Sequence, residues 1–128
     1  METVSKLINK KKPGKIDFKK KFSFKKRKEE SSRIIEKYPD RIPVIVQRGC
    51  PNVEEIDRNK FLVPSDLNMA NLMFIIRKRI KIRSEESLYL FVNDSFAPTS
   101  ALISTLYADQ KDEDGFLYIR YTKESTFG

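Results

Sequence analysis

The chain has no histidine, a single cysteine and only four glycines in 128 residues. Without histidine there is no Ser-His-Asp or Cys-His nucleophile site, no imidazole base and no histidine-held metal. One cysteine, Cys50, excludes an intramolecular disulfide and any CxxC metal or redox site. A catalytic thiol would need a base that the chain lacks, so Cys50 reads as an inert or oxidisable loop thiol after Gly49. No GxGxxG and no P-loop occurs, and four glycines leave little material for a phosphate cradle. Apolar runs such as Phe61–Val63 and Leu72–Ile76 fall far short of the ~18–20 residues that cross a bilayer. The opening METVSKLINKKK lacks the apolar stretch of a secretory signal, which points to cytosol or nucleus. The carboxylate clusters Asp112-Glu113-Asp114 and Glu85-Glu86 read as surface charge. The expectation is a protein that is not an enzyme and carries no cofactor or metal.

What is present suits one domain. Apolar residues make up 39% and charged residues 34%, enough for a core that folds without metal or disulfide. The charge is uneven. Residues 1–28 hold twelve Lys/Arg against Glu2 and Asp17, whereas residues 29–128 hold fourteen basic and sixteen acidic residues. A basic arm is thus joined to a nearly neutral body. It reads either as a solvated tail or as an attractor of polyanions, whether nucleic acid, anionic lipid or acidic protein tails. Phe18, Phe22 and Phe24 interleave with the lysines, as in single-strand binders. Phe18 and Phe22 are also spaced i, i+4, which suits one face of a short helix on a core.

Along the chain, residues 1–14 close on the breaker Pro13-Gly14 and read as a flexible basic extension. Short helices are expected over 16–26 and 28–37, the second stopped before Pro39. Ile42–Gln47 is β-branched and reads as a strand, and Lys60–Val63 as its hairpin partner. Asn68 is a good N-cap for a helix carrying Leu72, Ile76 and Ile80 on one stripe, with Arg77-Lys78-Arg79 in its last turns. Leu88–Val92 is a third strand ended by Asn93-Asp94. A short helix over Ser104–Asp109 precedes a last strand, Phe116–Tyr121. Hairpin, crossing helix and two further strands make an α+β fold. It is the ubiquitin-like β-grasp: a four-stranded mixed sheet with two additional N-terminal helices, the last strand parallel to the first. The domain spans 15–121, and 122–128 reads as a flexible tail.

KYPDRIPVIV (Lys37–Val46), DRNKFLVPSDL (Asp57–Leu67), IIRKRI (Ile75–Ile80), LFVN (Leu90–Asn93) and KDEDGFLYIRY with ESTFG (Lys111–Tyr121, Glu124–Gly128) resemble the GABARAP family of autophagy ubiquitin-like modifiers. The resemblance covers roughly residues 15–128 and is weakest over Gln47–Glu55. It implies conjugation through Gly128 to phosphatidylethanolamine of the autophagosomal membrane. The implied partners are ubiquitin-like activating and conjugating enzymes, and a processing cysteine protease. Glycine has no side chain to obstruct an acyl-transfer site. The resemblance further implies docking of peptides with an aromatic-x-x-aliphatic motif, added as a strand to a sheet edge. Residues matching the aromatic pocket are Glu30, Ile34, Pro43, Ile45, Lys60, Leu62 and Phe116. Those matching the aliphatic pocket are Arg41, Phe61, Val63, Pro64, Leu67, Leu72 and Ile75. Arg41, Arg58, Lys60 and Arg77 are placed to meet acidic flanks, and tubulin or anionic lipid to meet the arm. The other reading is an unconjugated basic protein on a β-grasp scaffold, binding cytoskeleton or nucleic acid.

Overall fold

A computed structural model describes residues 17–123. The expected arm, 1–14, and the ESTFG string lie outside the described residues. Asp17 caps the first short helix, α1 (Phe18–Lys21), by accepting from the Lys19 N–H at 3.0 Å. The helix expected over 16–26 is in fact split. The Ser23 hydroxyl accepts from the Lys26 N–H and starts α2 (Phe24–Lys37), which stops at Tyr38 before Pro39.

Four strands then form where the β-branched and aromatic runs place them: β1 (Arg41–Arg48), β2 (Lys60–Pro64), β3 (Tyr89–Val92) and, at the end of the chain, the strand Leu117–Thr122. A two-residue strand, β4 (Ser95–Phe96), follows β3, so that Leu117–Thr122 is β5 and the sheet has five strands rather than four. Asn93 and Asp94 do not simply end β3. Both adopt positive φ, 50° and 64°, as a tight hairpin turn requires, and fold Phe96 back onto Phe91. The order is β2-β1-β5-β3-β4, with β5 parallel to β1 as the crossover rule demands.

α3 (Met69–Arg79) begins at a reciprocal cap in which Asn68 and Asn71 each accept the other's N–H at 3.0 Å. α3 and α4 (Ile103–Gln110) cover one sheet face. Val44, Leu72, Ile76, Leu90 and Ile119 are fully or almost fully buried in the core between them. The other face meets α1 and α2 through a small cluster of Phe18, Ile45 and Phe116, as the Phe18/Phe22 spacing predicts. β5 runs through Thr122, which is buried, so residue 122, expected in the tail, belongs to the sheet. Among the described residues no helix is long and apolar enough to cross a membrane.

Candidate docking groove

Among the described residues β2 is an edge strand, with β1 as its one neighbour. Its burial alternates: Phe61 and Val63 point into the main core, while Lys60, Leu62 and Pro64 are half-exposed. The two expected residue sets therefore lie on opposite faces of one strand. Leu62 stands opposite Pro43. Proline has no N–H to give, so this is a non-hydrogen-bonded pair of the antiparallel ladder. The polar backbone groups of Leu62, and of Lys60 two residues before it, thus turn toward the open edge.

On the outer face a cavity of about 540 Å³ opens between α2 and β2. Phe22, Ile34 and Leu62 supply apolar wall, and Glu30 and Lys60 form an ion pair across it. Both charged side chains are more than a third exposed, so this pair contributes about 0–1 kcal/mol and is easily opened. Four of the seven residues expected in the aromatic pocket thus come together. The other three do not line it. Ile45 and Phe116 are completely buried, because the ring of Phe18 lies on Phe116 at 5.3 Å and closes that floor. Pro43 is buried beneath Leu62 on β1. In their place α1 and its C-terminus bring Phe18, Lys21 and Phe22 to the cavity. The i, i+4 aromatic spacing held that signal.

On the inner face Phe61, Val63 and Leu72 belong to the core, whereas Leu67 and Ile75 are half-buried against it. Pro64 is half-exposed and Arg41 exposed. Arg58 and Arg79 each lie 5.5 Å from the centre of the Phe61 ring. Arg77 is not placed to meet a ligand's acidic flank. It donates to the carbonyls of Arg83 and Glu86, both at 3.0 Å, and ties α3 to the following loop.

α2, one wall of the cavity, is fastened by a buried ion pair. Arg27 Nη1 donates to Asp114 Oδ2 at 2.5 Å, and the Asp114 side chain is wholly inaccessible to solvent. This overturns two expectations: Asp114 is not surface charge, and Arg27 is not part of a free basic arm. Tyr118 donates its hydroxyl to the same oxygen at 2.5 Å, and the Phe116 N–H reaches the other at 2.9 Å. Burial and the Asp114 carboxylate together push the Tyr118 hydroxyl well above the usual phenol range. Burial alone would lower the Arg27 pKa, but its bonds to Asp114 and Tyr118 raise it on balance. Ser31 donates to the Asp114 carbonyl, next to Gly115 at φ 91°.

Cys50 is half-buried against the core and donates its thiol to Asn52 Oδ1 at 2.8 Å. Gly128, the expected conjugation site, lies outside the described residues.

Residues 26–128 match the family model described as "Autophagy protein Atg8 ubiquitin like". Autophagy-related protein 8 of Schizosaccharomyces pombe is 53% identical over 112 residues, spanning 87% of this chain and 93% of that protein. Autophagy-related protein 8e of Arabidopsis thaliana is 54% identical over 106 residues, 82% of this chain and 87% of the relative. The crystal structure of Trypanosoma brucei ATG8 superposes with a TM-score of 0.81 at 38% identity, covering 90% of this chain and 100% of that one.

Proposed function

The chain belongs to the Atg8 ubiquitin-like family of autophagy proteins, and from that premise we propose that it is a lipid-conjugated modifier and not a catalyst. Gly128 is joined to phosphatidylethanolamine by the family's activating and conjugating enzymes and released by a cysteine protease. The cytoplasmic protein thereby becomes an autophagosomal one. Its body then recruits receptors whose aromatic-x-x-aliphatic segment adds a strand to β2. The observation that carries this reading is the open edge of β2 beside the cavity under α2.

The peptide's backbone pairs with Lys60–Val63. Its aromatic enters over Leu62 and Ile34, and its aliphatic side chain meets Leu67, Pro64 and Ile75. Burying two such side chains gives roughly 1.5–3 kcal/mol each before ordering costs, so an affinity near micromolar, about −8 kcal/mol, also draws on the backbone hydrogen bonds of the added strand. Leu62→Asp places an unpaired charge on the cavity wall and abolishes most of it. Titration calorimetry of a peptide carrying the motif against wild type and Leu62→Asp, both checked by circular dichroism, tests the groove. Unchanged affinity in the folded variant removes it. A parallel incubation with the two enzymes, ATP and phosphatidylethanolamine liposomes tests Gly128. Wild type gains a lipid and Gly128→Ala does not, and equal lipidation refutes that role.

A further inference from the structure

The root of the tail is held by a turn that receives one lysine. Tyr89 pairs with Thr122, the last residue of β5, so Lys123 is the first residue past the ladder. Its ammonium lies 2.9 Å from Glu86 Oε2, and the two side chains are only 26% and 24% exposed. The other polar groups of Glu86 are already committed. Its N–H donates to the Arg83 carbonyl at 3.0 Å, its Oε1 accepts the Arg83 N–H at 2.9 Å and its carbonyl accepts from Arg77 Nη1 at 3.0 Å. Arg77 Nη2 donates to the Arg83 carbonyl as well, so α3 fixes both ends of the turn. Glu86 Oε2 is thus left in a set position beside the strand end from which the tail departs. We propose that Lys123 and Glu86 are positioning residues for conjugation, setting the direction in which Glu124–Gly128 leaves β5. The proposal rests on the assignment of Gly128 above and adds how that glycine is delivered.

The physical case is one of reach and ordering. Five residues follow Lys123, roughly 17 Å at full extension. An acyl-transfer site has to receive that short segment end-on. Every direction in which it could leave the sheet, other than the productive one, is an ordering cost of binding. An ion pair at the root removes directions before the enzyme is met. A pair of exposed long side chains does little of this, because each is free to swing. This pair differs on both counts: both side chains are largely buried, and Glu86 is locked by the hydrogen bonds of its turn. Lys123 stands five residues from the reacting carboxylate, so its effect belongs to productive binding and not to the chemical step.

ATP-dependent charging of the family's activating enzyme is followed against the concentration of wild type, Glu86→Gln, Lys123→Met and the double variant. Glu86→Gln keeps an acceptor for the Arg83 N–H, and Lys123→Met keeps the apolar stem, so each removes a charge and little else. Circular dichroism checks the fold. Each single variant should raise KM about three- to fivefold with kcat unchanged, and the double variant should do no more than either one. Nuclear spin relaxation of the Lys123 amide should follow the same pattern, as ordered as Thr122 in wild type and less so in each variant. An unchanged KM, a fall in kcat, additive effects in the double variant or an unaltered Lys123 amide overturns the tether and leaves Gly128 as the conjugation site. If wild type itself is not charged, the Gly128 reading fails and the tether with it.

Discussion

Asp114→Ala should be among the most damaging single changes in this chain, and the cost can be worked from the contacts. The substitution removes the acceptor of three donors: Arg27 Nη1 at 2.5 Å, the Tyr118 hydroxyl at 2.5 Å and the Phe116 N–H at 2.9 Å. Arg27 keeps its Nε bond to the Phe22 carbonyl at 3.0 Å and its contact with the neutral Tyr118 hydroxyl, but no anion, for a side chain that is 10% exposed. A buried charge stripped of its partner costs about 3–5 kcal/mol. For a domain of this size that corresponds to a fall in melting temperature of roughly 10–20 °C. Exchanging both members for apolar residues, Arg27→Met with Asp114→Leu, should recover part of the loss, because no charge is then stranded. Recovery should be incomplete, since Tyr118 and the Phe116 N–H still lack their acceptor. Differential scanning calorimetry of wild type, the single variant and the pair measures all three. A drop below about 3 °C for Asp114→Ala, or a double variant no more stable than the single one, would refute the argument that this ion pair fastens α2.

Two smaller effects follow from the same loop. A Cβ on Gly115 would lie 2.3 Å from Ser31 Oγ at a backbone φ of 91°, so Gly115→Ala should cost about 2–3 kcal/mol by urea denaturation, from strain plus the disturbed Ser31 bond; a loss under about 1 kcal/mol would contradict it. Burial alone would raise the Asp112 carboxyl, but the Lys19 bond at 2.5 Å and the Asp114 N–H hold it below the usual range. A depressed carboxyl stabilises the fold above its unfolded pKa near 4 and ceases to as pH falls through the lower folded value. The stability gap between wild type and Lys19→Ala, under about 1 kcal/mol for so exposed a pair, should be full at pH 7 and close in that acid window; a gap independent of pH would show that Lys19 acts by packing instead.

The sheet and its order were legible because their signals are local or combinatorial. β-branched runs mark β1 and β2, Asn68 marks the start of α3, and the crossover rule places β5 beside β1. The alternation that sends Phe61 and Val63 one way and Leu62 the other is a property of any strand, so the two-faced burial of β2 was legible too. Other features depend on partners far away in sequence. Arg27 sits among lysines, and Asp114 within a run of carboxylates 87 residues later. Each reads as surface charge until the fold brings them together. Phe18 closing over Phe116 is the same kind of fact. Asn93-Asp94 is a different case: the pair reads as a strand stop, although its tolerance of positive φ also makes it a hairpin turn.

These features explain why a groove forms on this side of the sheet at all. Its β2 wall is continuous with the main core through Phe61 and Val63, and shares the stability of the whole domain. Its α2 wall stands on the opposite sheet face, where among the described residues the buried apolar cluster comprises Phe18, Ile45 and Phe116, with Phe22, Ile34 and Tyr118 half-buried against it. So small a cluster is a weak clamp for two helices dense in lysine. Repulsion among those lysines adds to the difficulty. The Arg27–Asp114 pair and the Ser31 bond supply what apolar burial does not, one helical turn apart on one side of α2. Toward β2 the helix stands off, bridged among the described residues by the half-exposed Glu30–Lys60 pair. A helix fastened on one side by the buried contacts of Arg27 and Ser31, and bridged to β2 on another by the exposed pair of Glu30, leaves space that packing would otherwise fill. The same feature that hid from the sequence, a buried charge pair among surface-like residues, thus holds the cavity's wall in place without closing it.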